Sequence, residues 1–258
     1  MSEVAVERQD AVTWITIDRA ERRNAINEAV ADGISRGIDE AEASPECRAV
    51  VLTGAGDRAF CAGGDLKPGA AAPFEVDPSD PRNFVVKLLR RMSHCSLPLV
   101  ARVNGHALAG GLGLLCACDM AVSAPHARFG TPESGIGLFP MMIMPHMQRV
   151  LPMRQLFELC ITGEQIDAAE AHRIGLVNHV AEEGGLDAKL DWLLGRIVNK
   201  SPTAIRLGKM AFRATSDMSL DQGLDYAQLM LPSMARTADA REGFAAFREK
   251  RKPAWTGR

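Results

Sequence analysis

The stretch at residues 98–133 limits the possible folds more than any other part of this chain. It begins with a short apolar run, interrupted only by Arg102, which can form only a buried strand or one turn of helix. Asn104 and Gly105 end the run, because glycine accepts positive φ values that other residues resist. The sequence AGGLG at 109–113 follows and leads into apolar residues at helical density. The pattern predicts a buried strand, a glycine-rich turn and a buried helix.

The glycine-rich start of this helix is compatible with two interpretations. The first N–H groups of a helix have no intrahelical partners, and the helix dipole adds partial positive charge there. Since AGGLG is rich in glycine and has no side chain able to react, a negatively charged oxygen could come close, as in an oxyanion or phosphate site. The alternative is close packing of the helix through its glycines. The residues by themselves leave both interpretations open.

Strands, glycine-rich loops and helices alternate over most of the chain. The pattern predicts strands at 4–6, 12–17 and 48–53, a helix at 28–43, a glycine-rich loop at 54–65 and a helix at 83–95. Asn27 is the predicted cap of the first helix. This alternation is typical of an α/β fold with its chemistry at the strand ends. From residue 186 onward the pattern predicts only helices, so we divide the chain into a core domain at 1–195 and a C-terminal helical region at 196–258.

Charge and cysteine usage exclude several classes of protein. The chain has 258 residues and a formal net charge of −2, so it lacks the broad basic surface that a nucleic-acid or anionic-membrane binder needs. Its six cysteines form no CxxC pair and have no ligand spacing with histidine, so we expect reduced core cysteines and no metal site. No apolar run is long enough to span a bilayer. We expect a cytoplasmic protein.

Three residues remain as site candidates after the common motifs are tested. GxGxxG fails because Cys116 stands where its last glycine is required, and the phosphate-loop motif fails because no Lys-Ser/Thr pair follows. Gly64 and Gly110 could direct two backbone N–H groups at one oxygen. Glu133, in an otherwise apolar segment, could have a raised pKa suited to proton transfer. His106 lies beside a glycine loop, but such a histidine more often has a structural role.

Five segments also carry a resemblance to a known family. They are FCAGGDLK, PLVARVNGHALAGGLGL, CDMAVSAPHARFGTPESGIG, ITGEQIDAAEAHRIGLVNHV and REKRKPAW. In order and spacing they resemble the crotonase, or enoyl-CoA hydratase/isomerase, family over nearly the whole chain. The resemblance implies a ββα spiral core with a helical C-terminal trimerisation region, and a homotrimer or dimer of trimers. It also implies an acyl-CoA thioester substrate and no cofactor apart from the coenzyme A of that substrate.

The resemblance also implies roles for individual residues. The two oxyanion amides of the family fall on Gly64 and Gly110, and its second catalytic glutamate falls on Glu133. The positions implied to bind coenzyme A are Arg23, Asn24, Ala25, Ala62 and Lys67, together with Phe247 and Lys250 near the C-terminus.

Two departures from the family pattern lie near the implied reaction centre. Gly113 stands where the two-glutamate hydratases have their first glutamate. The usual glycine-rich segment after the proline is replaced by MMIMPHMQR at 141–149. Its methionines could pack in the core or at a trimer contact, or they could line an acyl pocket that admits bulky chains.

The number of glutamates bears on the reaction. A double-bond shift between the 3 and 2 positions needs only one base, whereas hydration normally divides its proton transfers between two carboxyl groups. A single glutamate therefore favours the isomerase and leaves hydration open. A catalytically silent CoA-binding protein, and an acyl-CoA hydrolase or decarboxylase that uses the same oxyanion site, are the alternatives.

Overall fold

The computed structural model describes residues 2–65, 78–79 and 82–258. Its strands are β1 (Val4–Gln9), β2 (Val12–Ile17), β3 (Ala49–Gly54), β4 (Ala59–Cys61), β5 (Leu99–Val103), β6 (His106–Leu108), β7 (Met120–Ser123), β8 (Arg128–Gly130), β9 (Ile166–Asp167) and β10 (His179–Val180). Its α-helices are α1 (Glu28–Ala43), α2 (Phe84–Ser93), α3 (Gly110–Ala117), α4 (Met144–Val150), α5 (Met153–Thr162), α6 (Ala168–Arg173), α7 (Leu186–Ile197), α8 (Pro202–Thr215), α9 (Leu220–Ala235) and α10 (Ala238–Glu249). Short 3-10 helices span Ala20–Arg22 and Pro132–Ile136.

The described strands form two sheets. The large sheet has the order β1-β2-β3-β5-β7-β10, in which only the β1–β2 pair is antiparallel. The small sheet has the order β4-β6-β8-β9, in which β4, β6 and β8 are parallel and β9 is antiparallel to β8. The candidate site lies at the ends of the three parallel strands β4, β6 and β8.

The chain alternates between the two sheets as it advances. β3 of the large sheet leads into β4 of the small sheet and then into α2, and β5, β6 and α3 repeat the same order. β7 and β8 begin a third repeat. This is the ββα spiral that the resemblance implied, and the α/β prediction is confirmed.

Local sequence signals account for the ends of several elements. Asn27 caps α1, because its side-chain oxygen accepts a hydrogen bond from the N–H of Val30. Pro132 predicts the start of a helix, and the structure has there a 3-10 helix that ends after one turn and a half, at Gly137, whose φ is +79°. The apolar pattern predicts a strand at 176–180, but the observed strand is limited to His179–Val180, because the N–H groups of Leu176 and Val177 donate to the carbonyl of Ala171 in α6.

Two apolar clusters hold these layers together. The larger cluster lies between the sheets and α1–α6, and its fully buried side chains include Phe60, Leu112 and Phe129. The smaller cluster covers the outer face of the large sheet, where α7 contributes Leu190 and Leu194. Shortening one such buried leucine to alanine typically costs about 2–5 kcal/mol. α7 ends at Ile197, so the proposed division at residue 195 falls in its last turn.

The methionines at 141–147 divide between core and surface. Met147 is fully buried in the larger cluster, and Met142 and Met144 are partly buried against it. Met141 is exposed. All six cysteines are free thiols, and all except Cys118 are fully buried, as predicted for reduced core residues. None of the helices in the described ranges combines the length and the apolar character needed to cross a membrane.

The C-terminal segment is fastened to α8 and α10 by one buried carboxylate. Asp239 accepts hydrogen bonds from the N–H groups of Thr256 and Gly257 at 2.8 and 3.1 Å, and from the hydroxyl of Ser201 at 2.8 Å. Burial by itself would raise the pKa of Asp239, but these hydrogen bonds outweigh it and lower the pKa from 3.8 to about 2. The ionised form is therefore the one that holds the C-terminal segment in place.

The lowered pKa of Asp239 predicts an acid-dependent loss of stability. Because the folded pKa lies below the unfolded value, the carboxylate contributes about 2 kcal/mol above pH 4, and this contribution disappears as the pH falls toward 2. We expect Asp239→Asn to lower the free energy of unfolding at pH 6 and to converge with the unsubstituted chain in acid. Denaturant unfolding at several pH values measures this, with the exposed Asp225→Asn as control. A deficit that is independent of pH would contradict the assignment.

Candidate active site

Three parallel strands of the small sheet bring the candidate residues to one edge. β4 pairs with β6 and β6 pairs with β8, so the carboxyl ends of all three lie on the same side. Gly64 follows β4, Gly110 follows β6, and Glu133 follows β8 within a few residues. The sheet topology therefore places three residues that are distant in sequence around one region, as in other α/β proteins with sites at strand ends.

Two backbone amides lie side by side at this edge. A Cβ atom on Gly110 would lie 3.6 Å from the nitrogen of Gly64 and 3.5 Å from the Cα of Gly63. Gly64 bridges to Ile26 through its neighbours: Ile26 N–H donates to the Gly63 carbonyl and Asp65 N–H donates to the Ile26 carbonyl, both at 2.8 Å. Since successive N–H groups of an extended chain point to opposite sides, the Gly64 N–H points away from Ile26.

Neither of these amides has a partner within the described chain. Gly110 is the first residue of α3, so its N–H lacks an intrahelical acceptor and lies at the positive end of the helix dipole. Among the hydrogen bonds of the described residues, none is donated by the N–H of Gly64 or Gly110. Two adjacent unpaired donors are an arrangement that can bind one electron-rich oxygen.

The backbone around the amides has an unusual conformation. Ala109, which precedes α3, has φ +50° and ψ −125°, a region that L-residues adopt only at a cost of about 1–3 kcal/mol. Gly63 opposite it has φ +104°, and a Cβ there would lie 2.7 Å from the Cβ of Ala109. The Ala109 N–H donates to the carbonyl of Gly130 at 2.9 Å, which connects the strained turn to β8. The strained turn at Ala109 thus packs against a positive-φ glycine turn where the amides meet.

Glu133 has a desolvated carboxyl group. Its Oε2 atom is buried, and no hydrogen-bond partner for that atom is present in the described residues. Burial raises the pKa of Glu133 above its usual value, as the apolar sequence around it predicted. Thr131 just before it is fully buried, and its hydroxyl donates to the carbonyl of Leu159 at 3.0 Å. The segment is thereby fixed against α5, while the carboxyl keeps an unsatisfied acceptor.

A buried ion pair fixes Asp65, the residue that directly follows Gly64. Arg19 donates from Nη2 to the carboxylate of Asp65 at 2.8 Å, and both side chains are only 8 % exposed. The same guanidinium donates from Nη1 to the carbonyl of Ala25 at 2.6 Å and pairs with Glu3 at 3.1 Å. Arg19 therefore joins the loop at 23–25 to the loop that carries Gly64.

The positions implied for coenzyme A fall into two groups. The loop at 23–25 lies along the Gly64 loop, because the Ala62 N–H donates to the carbonyl of Arg23 at 3.0 Å. Asn24 is buried, and its amide donates to the carbonyls of Ala55 and Ala59 at 3.0 and 2.7 Å. Its side chain thus has a structural role, and only its backbone can reach a ligand. Lys67 lies outside the described residues.

The C-terminal positions lie elsewhere. Phe247 is 83 % exposed on α10, which packs on α8 and α9, and Lys250 ends that helix with φ +52°. The main packing partners of α10 in the described chain are α8 and α9, and the loop at 23–25 is not among them.

Two further residues near the site have structural explanations. Nδ1 of His106 accepts a hydrogen bond from the N–H of Arg128 at 3.1 Å, and burial lowers the pKa of this histidine, with added effects of His126 and Arg128. His106 thus connects β6 to β8. Burial raises the pKa of the Cys61 thiol to about 12, so Cys61, which ends β4, is not a thiolate at neutral pH.

Sequence reasoning missed three residues of this arrangement: Arg19, Asp65 and Ile143. Asp65 directly follows the second glycine of the loop, and a lone carboxylate after an apolar strand and two glycines is a signal for a buried partner. Ile143 is 3 % exposed and contacts Gly113, which nothing in the local sequence indicates. Within the described part of the chain, no three His, Cys, Asp or Glu side chains are grouped so as to hold a metal ion.

The fold and this edge of the small sheet define a class: a mixed α/β protein with adjacent unpaired backbone amides and a desolvated carboxyl at the carboxyl ends of its parallel strands. The chain belongs to the enoyl-CoA hydratase/isomerase family, because the model of that family matches residues 7–258. It is therefore an acyl-CoA-processing enzyme.

Individual relatives agree with this membership. The chain is 33 % identical to a short-chain-enoyl-CoA hydratase of Clostridium acetobutylicum over 98 % of this chain and 97 % of that protein. It is 36 % identical to a carnitinyl-CoA dehydratase of Citrobacter koseri, over 97 % of each. The crystal structure of an enoyl-CoA hydratase from Mycobacterium tuberculosis matches with a TM-score of 0.89 at 33 % identity, over the full length of both chains. The chain thus has the crotonase fold.

Proposed function

We propose that this chain catalyses proton transfer on enoyl-CoA thioesters, either as a hydratase or as an isomerase that moves a double bond from the 3 to the 2 position. One observation carries the proposal: the unpaired amides of Gly64 and Gly110 lie side by side at the sheet edge that also presents the desolvated carboxyl of Glu133. The names of the relatives, a hydratase and a dehydratase, support the same chemistry.

The two amides bind the thioester oxygen. Removal of a proton from the carbon beside the thioester leaves an enolate, whose negative charge develops on that oxygen. One well-placed donor typically stabilises such charge by about 2.7–4 kcal/mol, so the two N–H groups supply a large part of the catalysis. The close packing of the Ala109 turn against the Gly63 turn holds them in position before substrate arrives.

Glu133 carries the proton. Its raised pKa makes the carboxylate a stronger base and the carboxylic acid available for return of the proton. In a double-bond shift it would take the proton from C2 and deliver it to C4. In hydration it would take a proton from water while the hydroxyl adds to C3, and then return that proton to C2 of the resulting enolate.

Coenzyme A extends over the loop at 23–25 and Ala62, with Lys67 at its phosphates. Phe247 and Lys250 then cover the coenzyme A of a neighbouring subunit in a homotrimer or a dimer of trimers. Exposed apolar side chains on the C-terminal helices, at Leu220, Leu224, Leu229, Leu231 and Phe244, supply surface for such an assembly.

Substitution of Gly110 tests the proposal. A Cβ there would lie 3.6 Å from the Gly64 nitrogen and 3.2 Å from the flexible end of Ile26, so Gly110→Ala fits the fold but crowds the bound oxygen. We expect a loss of about 10²–10³-fold in kcat, which matches the loss of one oxyanion donor. Turnover of crotonyl-CoA and of 3-hexenoyl-CoA, with the melting temperature, measures this.

Gly208→Ala is the matched control, because nothing lies within 4 Å of a Cβ at that position on α8. Unchanged turnover in Gly110→Ala would remove the amide pair from the mechanism. An unsubstituted enzyme that converts neither substrate would overturn the proposed function itself.

A further inference from the structure

Ile143, at the start of α4, packs directly against Gly113 of α3. A Cβ atom on Gly113 would lie 2.2 Å from Cγ2 and 2.6 Å from Cβ of Ile143, closer than any side chain can approach. Ile143 is only 3 % exposed, so its side chain fills this space. Position 113 can therefore hold only glycine while Ile143 keeps its place.

The filled space is adjacent to the amide pair. Residue 113 lies one turn after Gly110, and residues three apart share a face of a helix. Helical side chains lean toward the N-terminus, over the preceding turn. A side chain on residue 113 would consequently extend along the start of α3, where the N–H of Gly110 is unpaired. Ile143 takes that volume and makes it apolar.

No carboxyl group belongs to the two helices that meet here. α3 and α4, both described in full, contain no Asp or Glu. The nearest histidine on α4, His146, faces Ser93 of α2 at 3.3 Å between Nε2 and Oγ. These two described helices therefore supply no carboxyl group that could act together with Glu133.

We propose that Ile143 is a specificity-determining residue. It takes the place of a second proton-transfer side chain and excludes water from the start of α3, so that the substrates are 3-enoyl-CoA thioesters. This inference rests on the proposed function and selects one of its two reactions.

The double-bond shift needs no acid or base other than Glu133. The carboxylate removes a proton from C2, and the C–H electron pair enters the thioester to form a dienolate whose oxygen binds to the two amides. The carboxylic acid then returns the proton to C4, while the double bond moves from C3–C4 to C2–C3. No water, electron or further proton is consumed.

A double variant tests the role of Ile143. In Gly113→Glu combined with Ile143→Ala, the shortened side chain makes room for a carboxyl opposite Glu133. We expect hydration of crotonyl-CoA to rise at least about 10²-fold over the unsubstituted enzyme, the contribution of one acid–base group. The ratio of crotonyl-CoA hydration to 3-hexenoyl-CoA isomerisation should rise with it, because the added carboxyl serves hydration and not the one-base double-bond shift.

Gly113→Gln combined with Ile143→Ala is the matched control, because it has the same shape without an ionisable group. A similar rise in crotonyl-CoA hydration in this control would show that the added space alone causes it, and would overturn the proposal. Gly113→Glu by itself should lower the melting temperature strongly, and Ile143→Ala should recover much of the loss.

If the double variant does not fold, the two activities of the unsubstituted enzyme test the inference instead. We expect it to isomerise 3-hexenoyl-CoA at least about 10²-fold faster than it hydrates crotonyl-CoA. Hydration at an equal or higher rate would overturn this inference but leave the proposed function intact. Absence of both activities would overturn the proposed function, and this inference with it.

Discussion

Glu133→Gln is expected to lower kcat for enoyl-CoA substrates by about 10²–10⁴-fold, the usual contribution of a general acid–base group. Glutamine has the same size but cannot accept or return the proton, and the amide pair of Gly64 and Gly110 remains in place. Substrate binding should therefore change little, so the loss appears in kcat rather than in KM. Steady-state kinetics on crotonyl-CoA and 3-hexenoyl-CoA measure both quantities.

The same substitution should not weaken the fold. Burial raises the pKa of Glu133, which means that the folded protein holds the ionised form at a cost at neutral pH. A neutral glutamine removes that cost, so Glu133→Gln should melt at an equal or higher temperature. Exposed Glu158→Gln on α5 is the control, with unchanged kcat. Full activity in Glu133→Gln would exclude Glu133 from the reaction.

The raised pKa of Glu133 also determines the shape of the pH profile. The base form is needed for the first proton transfer, so kcat/KM should fall on the acid side as the carboxylate is protonated. Because the pKa is raised, this fall should have its midpoint above the ordinary glutamate value of about 4.3. The acid limb should be missing from the residual activity of Glu133→Gln.

Arg19→Met is expected to lower the free energy of unfolding by about 3–5 kcal/mol, because it removes the guanidinium from a buried carboxylate. Arg19 and Asp65 are both only 8 % exposed, and Arg19 also holds the carbonyl of Ala25. Asp65 follows Gly64 directly, so loss of the pair should displace the amide and lower kcat as well. Denaturant unfolding and steady-state kinetics on one preparation measure the two effects.

Arg149→Met is the matched control for this change. Arg149 pairs with Asp217 at a similar distance, 2.9 Å, but the two side chains are 56 % and 74 % exposed. An exposed pair contributes at most about 1 kcal/mol, so the control should be nearly neutral. Replacing Arg19 and Asp65 together by Met and Leu should restore part of the stability, because the buried carboxylate is then removed together with the guanidinium that faces it. An Arg19→Met protein as stable as the unsubstituted chain would show that the pair is not needed.

Local patterns predicted the elements of this fold well, because each depends on neighbouring residues. The apolar run of β3, the Asn27 cap of α1 and the helical tail all follow from periodicity and capping chemistry. The departures are also local in origin: the 3-10 helix at Pro132 is short because Gly137 adopts a positive φ. The glycine loops were likewise visible as breaks after buried strands.

Chemistry-bearing residues were predictable only in part. Gly64, Gly110 and Glu133 were candidates because each follows an apolar strand and has a distinctive chemical type. Their proximity was an expectation from the resemblance, since no local pattern relates loops that belong to different strands. Asn24 illustrates the limit: its place in the loop was predicted, but its buried amide binds the carbonyls of Ala55 and Ala59.

By itself, the sequence determined most strands of the large sheet, most helices, where the glycines interrupt them, and that a lone glutamate lies in an apolar segment. It did not reveal β4, which lies within the loop predicted at 54–65. These properties depend on backbone propensity and on side chains a few positions apart. Only the tertiary structure decided that Arg19 pairs with Asp65, 46 positions away, and that Ile143 fills the space beside Gly113. Such contacts depend on the parallel pairing of β4, β6 and β8 and on close packing between helices, which bring distant residues within van der Waals distance.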